Sequence, residues 1–188
     1  MRIFLPIAIL ALMAACTRGP AGFHNQDISQ VSWGGDFTLT AHTSETKSLA
    51  DFNGKVVLLF FGYTHCPDIC APTLAKLAQV TKQLKERARD VQVIFVTVDP
   101  AHDTAAQLAG FIPRFDPRFI GMTGTGAQIA AVAADYKVAY QPGKNTGSVD
   151  HTGSVFIKDR RGKLRLYARE DASVESIVAD VERLLAEK

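Results

Sequence analysis

Two cysteines separated by three residues can bind a soft metal ion or form a redox-active disulfide. Cys66 and Cys70 follow an apolar run at residues 56–61 and precede a helical pattern of apolar residues at 74–84. The run predicts a strand buried on both faces, so the thiols are expected at the carboxyl end of a central strand. Open α/β sheets usually place their chemistry there, and a helix N-terminus lowers the pKa of a nearby thiol. This pair is therefore the primary candidate site.

The spacing of the pair favours metal binding but leaves redox chemistry open. Thioredoxin-type oxidoreductases have two residues between their cysteines, whereas Cys66 and Cys70 have three. Pro67 and Pro72 restrict the backbone around both thiols. A disulfide closing a loop of about five residues would contribute only about 2 kcal/mol. Structural stapling is therefore a poor explanation of the pair.

The elements around the cysteines follow the order of a thioredoxin-like fold. A hairpin is predicted over residues 37–49, then two strand–helix units, a short strand with a helix, a second hairpin and a final helix. Asp103 or Thr104 can cap the second helix, and Thr125 with Gln128 forms a capping box for the third. Right-handed crossovers place helices on both sheet faces. We expect an α/β, thioredoxin-like domain with an added N-terminal β-hairpin and an inserted helical segment.

A third ligand is predicted from a distant loop. His151 precedes a predicted strand at residues 155–157, and in a thioredoxin-like fold this loop lies beside the start of the first helix. Two thiolates and an imidazole suit copper, because sulfur selects Cu(I) and imidazole accommodates both oxidation states. Asp150 is a candidate to orient the ring of His151.

Zinc is the alternative metal. A closed structural zinc site has four ligands, so the two thiols and the imidazole would need one more. His65 and His102 are candidates for this fourth position, although the side chain of His65, beside Cys66, is expected to point away from the thiols.

The first residues have the features of a bacterial lipoprotein signal, residues 1–16. Arg2 precedes an apolar run at residues 3–15, which is shorter than the roughly 20 residues that span a bilayer. Cys16 follows two alanines and is the expected lipidated residue, although Met13 stands where such signals more often have Leu. An ordinary signal peptide and a retained leader are alternatives, and all three place the domain outside the cytoplasm.

The remaining chain suits one domain on a linker. Residues 17–32 are polar and rich in small residues, which predicts a flexible tether, and residues 33–188 form the predicted domain. The net charge is only +2 with acids and bases interspersed, which excludes the clustered basic residues of a nucleic-acid interface. The most basic stretch, residues 158–169, contains an aspartate and is interpreted as a solvated hairpin.

Three runs of the sequence stand out: GYTHCPDIC, VTVDPAHDT and VDHTGSVFI. Together they resemble the Sco/SenC family of copper-binding assembly proteins for cytochrome oxidases. The likeness extends from about Gly34 to the C-terminus. Relatives more often have a proline directly after the second cysteine, where this chain has Ala71, but no ligand position is lost.

The resemblance implies a thioredoxin-like fold and copper bound by Cys66, Cys70 and His151. Asp99, in the second run, is expected to support that site. The family faces the periplasm or the mitochondrial intermembrane space, so a periplasmic domain held at a bacterial membrane is expected. The implied partner is the copper-site subunit of a cytochrome oxidase, which would receive copper or have its cysteines reduced. Another periplasmic copper chaperone or a thiol reductase is a further expected partner.

Two enzymatic functions compete with a copper carrier. A thiol–disulfide oxidoreductase would use the same two cysteines through a mixed disulfide. It would not need the three-residue spacing or the late histidine. A peroxidase would use Cys66 as the peroxide-reactive thiol, but the chain has no clear peroxidatic motif. The copper metallochaperone is therefore the leading hypothesis, with thiol reduction as its alternative.

Overall fold

The computed structural model describes residues 22–139 and 153–187, which form one mixed sheet with four helices. The strands are β1 (Gln26–Asp27), β2 (Thr38–Ala41), β3 (Thr46–Ser48), β4 (Val56–Gly62), β5 (Val91–Thr97), β6 (Ile120–Thr123), β7 (Val155–Lys158) and β8 (Leu164–Ala168). The helices are α1 (Cys70–Leu84), α2 (Ala105–Phe111), α3 (Gly126–Asp135) and α4 (Val174–Ala186). None of these described helices is long and apolar enough to cross a bilayer.

The two central strands are buried along their whole length. The sheet order is β1-β8-β7-β4-β5-β6-β2-β3, with β4 parallel to β5 and antiparallel to β7. The parallel register sets Val56 opposite Val91 and Gly62 opposite Thr97. The carboxyl ends of both strands therefore meet at one edge, and the loops that leave them carry the candidate site.

Helices cover both faces of this sheet, as the crossover rule predicts. One apolar cluster joins α1, α2 and α4 to the sheet through residues such as Leu74, Leu108 and Val181, all fully buried. A second cluster places Ile129 of α3 and the N-terminal hairpin against the opposite face. Burial of each such side chain is worth roughly 1.5–3 kcal/mol. The prediction of a thioredoxin-like α/β fold with an added hairpin is confirmed.

The folded domain begins earlier than predicted, because residues 22–32 pack against it. The backbone N–H groups of His24 and Asn25 each donate to the carboxylate of Asp180 in α4 at 2.8 Å. The short strand β1 then pairs with β8, setting Gln26 opposite Tyr167. Residues 22–32 therefore do not form a flexible tether.

The basic stretch at residues 158–169 is not uniformly solvated. Lys158 is buried, and its Nζ donates to the carbonyl oxygens of Gly34 and Gly35 at 3.1 Å and to the Tyr136 hydroxyl at 3.0 Å. Its ammonium group therefore joins the chain before β2 to the end of α3. Here the interpretation of a solvated hairpin is wrong for its first residue.

Candidate metal centre

The two thiols lie together where β4 passes into α1. Cys70 is the first residue of α1 and is only 1% exposed, whereas Cys66 is partly exposed in the preceding loop. A methyl group at Gly62, the last residue of β4, would lie 2.7 Å from Cys70 Sγ. The absence of a side chain at Gly62 therefore makes room for the buried sulfur.

The loop around Cys66 favours its thiolate. Burial alone would raise the pKa of the Cys66 thiol, but hydrogen bonds from the backbone N–H groups of Asp68, Ile69 and Cys70 lower it to about 7. The Cys70 thiol adds a further hydrogen bond to the same sulfur. Asp68 and Ile69 directly precede α1 and Cys70 begins it, so the donors are grouped at the N-terminal end of the helix, where N–H groups lack partners within the helix. At neutral pH the exposed member of the pair is thus about half ionised.

The second thiol has the opposite tendency. Burial, and then the neighbouring Cys66, raise the pKa of Cys70 above its ordinary range, although a backbone hydrogen bond at Tyr63 opposes this. Burial and the adjacent Cys66 sulfur raise the pKa of the Tyr63 phenol to about 12, so its O–H remains a donor to that sulfur. The site therefore holds one nucleophilic, hydrogen-bonded sulfur and one protonated, sheltered sulfur.

A buried carboxylate ties the cysteine loop to the end of β5. Asp103 is fully buried and accepts from Thr64 N at 2.9 Å, from Thr64 Oγ1 at 2.5 Å and from Thr97 Oγ1 at 2.7 Å. The sequence left Asp103 or Thr104 as the cap of α2, and Thr104 is the cap. The hydrogen bonds of Asp103 to Thr64 and Thr97 were not predicted from the sequence. Because Thr104 can cap α2 by itself, the presence of Asp103 beside it was the one signal for another role.

His65 and His102 do not complete a zinc site with the thiols. Within the described part of the chain they group instead with Asp99, and the potential ligand atoms of the three lie within 4.8 Å of one another. The ring of His65 also packs against the ring of Tyr63, with centroids 4.8 Å apart. Their proposed use as a fourth zinc ligand at Cys66 and Cys70 is therefore not supported by the geometry.

Three predicted site residues lie outside the described ranges: Cys16, Asp150 and His151. The chain is described again from Gly153, whose position is informative. A methyl group at Gly153 would lie 3.2 Å from Thr73 Oγ1, in the first turn of α1. The described chain therefore resumes beside the helical turn that contains Cys70.

Comparisons with known proteins agree with this architecture. A family model described as SCO1/SenC matches residues 25–186. A mitochondrial SCO2 homolog from Bos taurus is 39% identical over 186 residues, which cover 95% of this chain and 70% of that protein.

Solved structures give the same result. The structure of Bradyrhizobium japonicum ScoI with copper bound has 34% sequence identity and a TM-score of 0.73, covering 82% of this chain and 100% of that one. The structure of BsSco has 25% identity to this chain and a TM-score of 0.70. BsSco is described as a member of the Sco family of cytochrome c oxidase assembly proteins, and a disulfide switch was identified in it. That match covers 89% of this chain and 98% of BsSco. With the family model spanning most of the sequence, the chain belongs to the SCO1/SenC family.

Proposed function

We propose that this protein is a copper metallochaperone that binds one copper ion through Cys66, Cys70 and His151. It would assist assembly of the binuclear copper site of a cytochrome oxidase from the periplasmic side of a bacterial membrane. The observation that carries the proposal is the pair of adjacent thiols, one partly exposed and one buried, at the start of α1. Relatives with copper bound and a relative named for oxidase assembly support it.

The donor chemistry fits copper. Thiolate sulfur selects Cu(I), and an imidazole added to two thiolates accommodates Cu(II) as well. A single residue separates His151 from Gly153, which lies beside Thr73. The Cα atom of His151 is therefore at most about 7 Å from the Cα atom of Gly153. This distance is consistent with an imidazole that reaches the two sulfurs. The buried Cys70 thiol must lose its proton when it coordinates the ion.

The unequal exposure of the sulfurs suits transfer of the ion. A receiving protein must replace the ligands one at a time, and the partly exposed Cys66 sulfur is the more accessible of the two. Hydrogen bonds from the α1 N-terminus would stabilise Cys66 as a thiolate once it has left the ion. Cys70 would hold the ion until the last exchange.

Copper titration of the reduced full chain in detergent tests the ligand set. We expect one thiolate-bound copper per chain, with a sulfur-to-Cu(II) charge-transfer band that is lost in Cys66→Ala and in Cys70→Ala. His151→Ala should change the band and weaken binding by at least about tenfold, since even the loss of a supporting residue commonly costs that much. His24→Ala is the matched control, because His24 is exposed and its backbone N–H, which the substitution keeps, donates to Asp180.

The outcomes separate the parts of the proposal. An unchanged band and affinity in His151→Ala would remove the histidine from the ligand set. An unchanged band in Cys66→Ala and Cys70→Ala would remove the site itself. In cells that lack the protein, oxidase activity should be low and should return with the wild-type chain but not with Cys70→Ala.

The alternative function is reduction of cysteines on the oxidase subunit. The specific observation in its favour is the contrast between an accessible Cys66 thiol with a pKa of about 7 and a buried Cys70 thiol. This is the arrangement of an attacking and a resolving cysteine. Turnover of a peptide disulfide in the presence of a copper chelator would favour reduction, with Cys70→Ser trapping the mixed disulfide on Cys66. Negligible metal-free turnover would favour the carrier.

A further inference from the structure

We propose that His65, Asp99 and His102 form a second metal site, distinct from the thiol pair, which takes a divalent ion of the copper and zinc type. The two histidines come from different loops, one after β4 and one after β5. Both rings approach the same carboxylate oxygen: His65 Nε2 lies 3.3 Å and His102 Nδ1 lies 2.8 Å from Asp99 Oδ2. This site goes beyond the proposed function, because it uses neither cysteine.

The distances match those between ligands of one ion. Metal–nitrogen and metal–oxygen bonds of about 2.0–2.2 Å place neighbouring ligand atoms about 2.9–3.4 Å apart. The distance from His65 Nε2 to Asp99 Oδ2, 3.3 Å, lies inside this range. The distance from His102 Nδ1 to the same oxygen, 2.8 Å, lies about 0.1 Å below it. All three ligand atoms lie within 4.8 Å of one another, so the two imidazoles and the carboxylate already converge on one small region of the surface.

Accessible rings are attached to a fixed backbone here. The side chains of His65 and His102 are 54% and 66% exposed, which leaves both open to an incoming ion. The backbone between the ligands is a tight turn, in which Asp99 O accepts from His102 N at 3.2 Å and from Asp103 N at 2.9 Å. Thr97 Oγ1 accepts from Asp99 N at 2.9 Å and secures the start of this turn to β5.

A second carboxylate lies near the ring of His65. The remaining ring nitrogen, Nδ1, faces Asp103 Oδ1 at 4.0 Å, which is longer than a hydrogen bond. Asp103 is fully buried and fixed by hydrogen bonds from Thr64 and Thr97. Its carboxylate therefore contributes a nearby acidic group that favours a bound cation at His65.

The donor set selects the ion. Two neutral imidazoles and one carboxylate suit Cu(II) and Zn(II), whereas Cu(I) prefers sulfur. Copper binds such nitrogen and oxygen sites more tightly than other divalent ions of the first transition row. The ion expected here is thus Cu(II), held by nitrogen and oxygen next to a pair of sulfurs.

Cu(II) titration of a chain without the thiol site tests the proposal. The full-length Cys66→Ser/Cys70→Ser protein, kept in detergent, lacks both sulfurs of the thiol site. Electron paramagnetic resonance then reports the ligands of any Cu(II) that this protein binds. We expect one ion with hyperfine coupling to two imidazole nitrogens. Adding His102→Ala or Asp99→Asn to this protein should lower its affinity for Cu(II) by at least about tenfold. Adding His24→Ala should leave the affinity unchanged.

Folding and the thiol site are monitored separately. Circular dichroism of each variant confirms that it is folded, and His102→Ala in the otherwise wild-type chain should keep the thiolate-to-copper band. Absence of a nitrogen-coupled Cu(II) signal in the thiol-free protein overturns the second site and leaves the proposed function intact. A signal that survives His102→Ala but disappears with His151→Ala also overturns it, because the ion would then sit elsewhere.

Discussion

The contrast between the two thiols can be measured through their rates of alkylation. The reduced, metal-free full chain is treated with iodoacetamide at a series of pH values, and tandem mass spectrometry separates Cys66 from Cys70 and Cys16. The rate at Cys66 should rise with a midpoint near pH 7, because backbone N–H groups at the start of α1 lower its pKa from the ordinary 9.0 to about 7. The same chain unfolded in urea should show the ordinary midpoint.

The size of the effect follows from two opposing factors. At pH 7 a thiol with a pKa of 7 is half ionised, whereas one with a pKa of 9 is about 1% ionised, a gain of about 50-fold. A less basic thiolate is also a weaker nucleophile, by about eightfold over two pKa units. Folding should therefore accelerate alkylation of Cys66 about sixfold at pH 7. Well above pH 9, where both thiols are ionised, the folded protein should instead react more slowly.

The buried thiol supplies the internal comparison. Cys70 is 1% exposed and burial raises its pKa, so it should remain unmodified until the protein unfolds. Cys70→Ser should move the midpoint of Cys66 only slightly, because a hydroxyl can still donate to the sulfur. The reasoning is refuted if Cys70 is alkylated first, or if the folded and unfolded chains share one midpoint for Cys66.

Three further changes test the surroundings of the site. Gly62→Ala would bring a methyl group 2.7 Å from Cys70 Sγ. Overpacking of this kind lowers the free energy of unfolding by about 1–3 kcal/mol, which urea unfolding measures, and the thiolate-to-copper band should weaken as well. Asp103→Asn replaces a buried carboxylate that accepts three hydrogen bonds, so we expect a loss of about 3 kcal/mol and faster amide exchange in the cysteine loop; unchanged exchange would count against the network. Asp180→Ala removes three hydrogen bonds of 2.8 Å to residues 24–25 and should raise amide exchange at β1 without altering the alkylation midpoint of Cys66.

The periodicity of apolar residues was sufficient to predict the main strands and helices of the domain. The apolar run at residues 56–61 and the capping box of Thr125 and Gln128 each have a local cause, and each appears in the structure where it was predicted. The position of Cys70 at the start of a helix follows in the same way, from an apolar strand, a proline-rich turn and a helical stripe.

Long-range polar contacts were beyond these patterns. Strand β1 has only two polar residues, and its position depends on Asp180, more than 150 residues away in the chain. The burial of Lys158 was missed because a basic residue in a hairpin is normally solvated, and only the fold brings carbonyl oxygens to its ammonium group. The meeting of His65 with Asp99 needs the register of two parallel strands, which composition does not specify.

The route of the chain into β1 determines which edge of the domain a tether would hold. The ring of Phe23 lies under the guanidinium groups of Arg165 and Arg183, with centroid distances of 5.6 and 4.9 Å. Residues 23–25 therefore cross from α4, where Asp180 accepts from His24 N and Asn25 N, to β1 at the edge of the sheet.

A lipid on Cys16 would be six residues from Gly22 and could reach at most about 20 Å from it. Such an attachment would keep Gly22, which leads into the β1 edge of the sheet, within that distance of the bilayer.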